Sequence, residues 1–165
     1  MMKKLLEKVL VACNGSDSSL RAVKYGIILS RQTQVQVKVV YIVDSASIKQ
    51  LTLSRFMDPD EARKISQRLE EDGKNILEHI KLLAKSKKVN IETELRDGAV
   101  WSQVISAADE WDADLILLGG TSEGNNMRAL NRASVTKQDS EIIGSAHSSV
   151  MVVREPHIDQ LFKIL

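Results

Sequence analysis

The chain predicts an α/β protein, a doubly wound five-stranded parallel sheet with helices on both faces, and three observations carry that prediction. Short β-branched runs alternate with amphipathic segments along the sequence, the order that yields a parallel sheet joined by crossover helices. Runs such as Val9-Leu10-Val11 and Leu115-Ile116-Leu117-Leu118 are apolar without alternation, as strands covered on both faces are. The first run breaks at Asn14-Gly15-Ser16-Asp17 directly into a helical pattern. Such a turn lies at the carboxyl end of a parallel strand, where open α/β sheets bind ligands.

Each element has its own local reason. Gly15 allows a sharp strand-to-helix turn. Ser16, Asp17 or Ser18 can cap the helix that follows, whose apolar side is Leu20, Val23, Ile27 and Ile28. Residues 35–43 are β-branched and read as a strand, followed by an irregular connection over 44–57 that carries Leu51, Leu53, Phe56 and Met57. Asp58-Pro59-Asp60-Glu61 starts a helix running to about Lys87, with Ile65, Leu69, Ile76, Leu77, Ile80 and Leu83 on one face. Gly73 is a weak point there, at a cost of about 1 kcal/mol against alanine. Residues 89–95 alternate with period two, a strand whose wetter face points to an edge position. The turn at Arg96-Asp97-Gly98 leads to a helix over 99–111, with Val100, Val104, Ile105 and Ala108 inward. A buried strand over 114–120 ends in a glycine pair and opens a polar loop over 121–138. A short helix over 139–145 and a last strand over 149–154 complete five strands and four helices. Pro156 stops that strand.

The 165 residues, 43% of them apolar and 27% charged, suit one domain with a substantial core, taken as 1–155 with a tail at 156–165. In the tail, Ile158, Leu161, Phe162 and Leu165 recur at helical spacing and need cover, on their own domain or, by a slight preference, across a dimer. A net charge of +1 without a basic block gives no reason to expect nucleic acid or a membrane surface as partner. No apolar run approaches the roughly 20 residues of a membrane span. Glu7 and Lys8 interrupt the signal-like opening, and the single Cys13 excludes an internal disulfide, so a cytoplasmic location is expected.

Conventional catalytic patterns are weak. Cys13 reads as a small buried residue, and His79, His147 and His157 are too dispersed for a metal site or a Cys–His pair. Asp44 and Asp97 end strands as a phospho-acceptor would, but Cys13-Asn14 stands where a receiver domain needs an acidic pair. Trp101 and Trp111 suit packing or a partner face. The run from Gly119 to Gly124 suits either a phosphate nest or a plain surface loop, with Arg128, Arg132 and Lys137 solvent-facing or turned to phosphates.

Taken in order, Val9 to Ser16, the strand end Tyr41-Ile42-Val43-Asp44, Gly98 before a helix, Ala113 to Gly119, and Ser149 to Val153 resemble the universal stress protein family over nearly the whole chain. The resemblance implies strand order 3-2-1-4-5, a homodimer through the last strand (149–154) with the tail as a further contact, and a regulatory or protective role without catalysis. For one branch it implies bound ATP or AMP, with Mg accompanying ATP. Carried over by motif, Ala12, Cys13 and Asn14 close the first strand, Ile42 meets the adenine, and Gly119, Gly120, Gly124, Ala133, Ser134 and Val135 approach the phosphates. The chain departs from the family pattern at Asn14 in place of Asp and, counted from Gly120, at Glu123 in place of the second loop glycine and Ala133 in place of the last; counted from Gly119, the second position is Ser122 and the final pair is one residue out of step. A carboxylate at Glu123 would repel phosphate. Two other readings stand beside this one. The same fold can serve as an interaction module without nucleotide. Residues 14–19 also resemble the loop of the PP-loop ATP pyrophosphatases, which would make the chain an ATP-using enzyme.

Overall fold

The computed structural model describes residues 2–120 and 136–165. The elements are β1 (Lys8–Cys13), α1 (Asp17–Thr33), β2 (Gln36–Val43), α2 (Ser45–Leu53), α3 (Pro59–Ser86), β3 (Glu92–Asp97), α4 (Val100–Trp111), β4 (Leu115–Leu118), α5 (Lys137–Ser145), β5 (Ser149–Val152) and α6 (Ile158–Ile164). The strands form one sheet in the order β3-β2-β1-β4-β5. Every pairing is parallel, with Val11 beside Val39 and Leu117 at the centre. The expected fold class and strand order are what the chain adopts.

Strand alternation divides the core in two. Val9, Val11, Cys13, Val37, Val39, Tyr41 and Leu117 pack with Val23 and Ile27 of α1 and Leu77 and Ile80 of α3. Leu10, Val40, Ile42, Ile116 and Leu118 face the other way, onto Val104 and Ala108 of α4 and Ile142 of α5. Val9, Leu10 and Val11 are all fully buried, which explains their unbroken apolar run.

Several boundaries differ from expectation for identifiable reasons. The connection after β2 is not irregular: Asp44 accepts a bond from the Ser47 amide at 3.1 Å and from its hydroxyl at 2.8 Å, nucleating α2. Helix α5 starts two residues early because the Thr136 hydroxyl accepts from the Asp139 amide at 2.9 Å. Strand β3 begins late. Lys88 takes a left-handed conformation, and the Val89 amide bonds back to the Ala84 carbonyl at 3.0 Å, so Val89 closes α3 as a buried plug instead of opening the strand. Ile65, expected inward, is exposed; Ala62 and Ser66 in the first turns of α3 instead line a groove shared with α2.

Gly73 is not a weak point. A Cβ there would stand 2.7 Å from the Tyr41 ring and 2.8 Å from Leu95, so the missing side chain is what lets α3 lie close over β2 and β3. Gly73→Ala is expected to lower stability by about 1–3 kcal/mol through overpacking, although alanine is the better helix former. A denaturant midpoint at or above that of the parent chain would refute this.

The tail packs in part on its own domain. Ile158 and Phe162 are buried in their own domain, and Phe162 lies under the ammonium groups of Lys24 and Lys87 at 5.7 and 4.9 Å from its ring centre. Lys24 also pairs with Asp159 at 2.6 Å. The domain thus covers Ile158 and Phe162 of the apolar stripe and leaves Leu161 exposed.

At the opposite end of the sheet, one oxygen of Asp114 accepts from the Glu7 and Lys8 amides at 2.9 Å each. These bonds, that from Glu7 first, hold its carboxyl below the usual range. The stabilisation is complete above the unfolded value of about 3.9 and is lost as pH falls through the lower folded value. Asp114→Asn should therefore reduce stability at pH 7 by about 1 kcal/mol, the scale of a charge-assisted bond near the surface. Denaturant midpoints of the two proteins should converge as pH falls from 4 towards 2, and a constant gap would contradict the assignment.

Candidate functional site

A cleft opens at the carboxyl ends of β1, β2 and β4, on the face covered by α4 and α5. Its apolar lining is Ala12 from β1, Val40 and Ile42 from β2, Leu118 from β4, Val100 and Val104 from α4, and Ile142 from α5. Around the mouth are Asn14, Ser16, Gly119, Gly120, Thr136, Gln138 and Asp139. The position follows from topology: β1 connects to one side of the sheet and β4 to the other, leaving a crevice between their outgoing loops.

The turn after β1 is held by its own side chains. The Asn14 side-chain oxygen accepts from the Ser16 amide at 3.0 Å, and Gly15 sits at φ 83°, where a β-carbon would be strained. Ser16, of the three expected candidates, is the helix cap, its hydroxyl accepting from the Ser19 amide at 3.2 Å. The buried Ser18 hydroxyl donates to the Gly120 carbonyl at 3.0 Å, tying the start of α1 to the exit of β4. Gly119 is required for that approach. A Cβ there would meet the Ser18 carbonyl oxygen at 2.3 Å and the Ser19 nitrogen at 2.6 Å.

Ala12, Asn14, Ile42, Gly119 and Gly120, singled out in the sequence, are thus brought to one cleft. Cys13 borders it, but its side chain belongs to the core of the other face, with its sulfur 3.6 Å from the Ser19 hydroxyl. Burial pushes its thiol up from the ordinary value, against smaller lowering from Ser19 and a backbone bond, so it is a poor nucleophile. Gly124, Ala133, Ser134 and Val135, with Glu123, Arg128 and Arg132, lie outside the described residues. Lys137 is exposed at the first position of α5.

Residues that sequence reasoning left out also border the cleft. Ser18 and Thr136 read as cap candidates or loop, and only the long-range bond to Gly120 gives Ser18 a second role. Ile142 and Leu118 carry no signal beyond burial. Asp139 sits inside the first turn of α5, at the cleft.

Other sequence candidates are structural. Asp44 is a helix cap. His147 pairs with Asp109 at 2.9 Å on the surface. Trp111 packs under the Lys8 and Lys38 ammonium groups at 5.5 and 5.8 Å. Among the described residues, no group of three His, Cys, Asp or Glu could hold a metal, and no helix is long and apolar enough to cross a membrane.

Comparison with known proteins agrees with this geometry. Universal stress protein MJ0531 of Methanocaldococcus jannaschii is 29% identical over 152 residues, covering 92% of this chain and 84% of that protein. Among solved structures, hypothetical protein MJ0577 superposes with a TM-score of 0.70 at 19% identity, covering 91% of this chain and 96% of that one. A universal stress protein family protein from Arabidopsis thaliana with AMP bound gives a TM-score of 0.61 at 18% identity, covering 89% and 90%. These structural likenesses speak for the fold. The model of the universal stress protein family matches residues 6–154, nearly the full sheet and its helices, and the chain belongs to that family.

Proposed function

We propose that this protein binds an adenine nucleotide, AMP or ATP, in the cleft between β1, β2 and β4, and acts as a dimeric regulatory or protective protein without chemistry of its own. The observation that carries the reading is the two-part cleft. An apolar slot bounded by Ala12, Val40, Ile42 and Leu118 opens onto a polar mouth at Asn14, Gly119, Gly120 and the start of α5. A flat aromatic base fits the first part, and ribose and phosphate groups fit the second. The residues suit that group: the Asn14 amide nitrogen stays available to a ribose or base acceptor while its oxygen is engaged by Ser16. A structural neighbour holding AMP lends support. ATP would enter with Mg, and the loop containing Gly124, Ala133, Ser134 and Val135 would supply further phosphate contacts.

Dimerisation is proposed through β5, which among the described residues bonds only β4 and so leaves an edge to pair. A cytoplasmic location suits the lone buried cysteine.

One observation favours a second reading, an interaction module whose cleft takes no nucleotide. The Ser19 and Asp139 amides are already engaged by the Ser16 and Thr136 hydroxyls, and Asp139 adds an acidic residue to the lining of the cleft. Native mass spectrometry of freshly purified protein, followed by calorimetric titration with AMP and MgATP, separates the two. A dimer that carries or takes up nucleotide at micromolar to low millimolar concentration is the expected result. An empty protein indifferent to millimolar AMP and MgATP would reject nucleotide binding and leave the interaction module.

A further inference from the structure

Three helices of this protein end in the same way. In each, a residue other than glycine adopts the left-handed conformation: Arg55 after α2, Lys88 after α3 and Asp112 after α4, with φ of 61°, 59° and 57°. Each turn carries the same pair of backbone bonds, the longer one joining Phe56 to Leu51, Val89 to Ala84 and Ala113 to Ala108. In this motif the residue past the left-handed position normally packs its apolar side chain back on the fold. Val89 is buried, and Ala113 packs on the core beneath α4. Phe56 breaks the rule at 83% exposure, and its neighbours Leu53 and Leu51 stand at 75% and 42%. The turn thus holds a phenylalanine on a fixed backbone with none of the described residues over it.

Beside this turn runs a groove between α2 and the start of α3, with Ile48 buried at its base and Leu53, Pro59 and Ala62 along its sides. The charged residues lining it are Lys49 and Arg63, both cations. Lys49 makes no ion pair among the described residues. Arg63 stands 3.8 Å from Asp60, beyond hydrogen-bond reach and largely in solvent. Apolar area of this kind, with anchors on a rigid turn, marks a protein-binding surface. The two cations set the sign of its partner.

We propose that the groove between α2 and α3 docks an acidic amphipathic segment of a partner protein, its apolar side chains on Leu53 and Phe56 and its carboxylates on Lys49 and Arg63. The mode is that of a helix laid in a groove. Complementary charge governs which segments are accepted, and the apolar residues hold them. The surface is separate from the nucleotide cleft, so this inference stands whether or not nucleotide binds.

The test uses the full chain and a pair of labelled synthetic helical peptides with identical leucines at i, i+3, i+4 and i+7. One carries glutamates on its flanking positions, the other lysines. In fluorescence anisotropy at 150 mM salt the glutamate peptide should bind at least tenfold more tightly. Leu53→Ser and Phe56→Ser, both at exposed positions that leave the fold intact, should each weaken it fivefold or more. A double change of Lys49→Glu and Arg63→Glu should reverse the preference between peptides. Absence of binding by the glutamate peptide, equal affinity for both, or indifference to Leu53→Ser and Phe56→Ser would each overturn the proposal. So would a self-association in sedimentation that Phe56→Ser abolishes, which assigns the patch to a second copy. Phe56-dependent binding to anionic vesicles, with no peptide binding, would assign it to a lipid surface and overturn the proposal equally.

Discussion

Gly119→Ala is expected to be the most damaging glycine-to-alanine change among the described residues. The new carbon would lie 2.3 Å from the Ser18 carbonyl oxygen, 2.4 Å from its carbon and 2.6 Å from the Ser19 nitrogen. All three are backbone atoms in the first turn of α1, so no side-chain rotation can relieve the overlap. Either the exit of β4 or the helix start must move, and the Ser18 bond to Gly120 moves with it. A loss of about 3 kcal/mol or more is expected, which lowers the melting temperature by roughly 6–12 °C in a domain of this size. Gly144→Ala is the control. Nothing lies within 4 Å of a Cβ there, and the residue is inside α5, so stability should rise by about 0.5–1 kcal/mol. Equal shifts in the two variants would show that backbone approach at Gly119 is not what requires glycine. Loss of ligand binding in Gly119→Ala would follow from the displaced helix start alone, and so does not by itself make Gly119 a phosphate ligand.

Ala12→Leu should have the largest effect on binding. Strand alternation points the Ala12 side chain into the cleft, beside Ile42 and Leu118. A leucine there fills the slot proposed for the base, and it does so in apolar surroundings with room at the mouth. AMP affinity is expected to fall at least tenfold, about 1.4 kcal/mol, while the melting temperature stays within a few degrees of the parent. Titration calorimetry beside a thermal melt reads both. Unchanged affinity in a folded Ala12→Leu protein would move the nucleotide out of this cleft.

The parts of the fold legible in the sequence are those governed by local pattern. Val9-Leu10-Val11 could only be a strand covered twice, and Asp58-Pro59-Asp60-Glu61 could only begin a helix. That Ala12, Asn14, Ile42, Gly119 and Gly120 line one cleft was legible because they close strands that the topology brings together. Less was legible where an element owes its form to a distant contact. Helix α2 has a mixed composition and rests on one aspartate cap. Val89 looked like the first residue of a strand, but its amide finds the Ala84 carbonyl before β3 begins.

Sequence by itself determined the strands, the long helices, the turn after β1 and the family, because alternation, capping chemistry and apolar run length act within a few residues of each position. Tertiary structure alone decided the meaning of the glycines and of the tail. Gly73 is a helix defect by propensity and a contact point by packing, since Tyr41 and Leu95 arrive from other strands. Gly119 reads as a phosphate residue by motif, and the backbone of α1 lying against it gives a second, packing reason for the glycine. The tail stripe suited an interface as well as a core, and the fold buries Phe162 beneath Lys24 and Lys87 while Leu161 stays exposed. In each case the deciding atoms lie far along the chain, where no local pattern reports them.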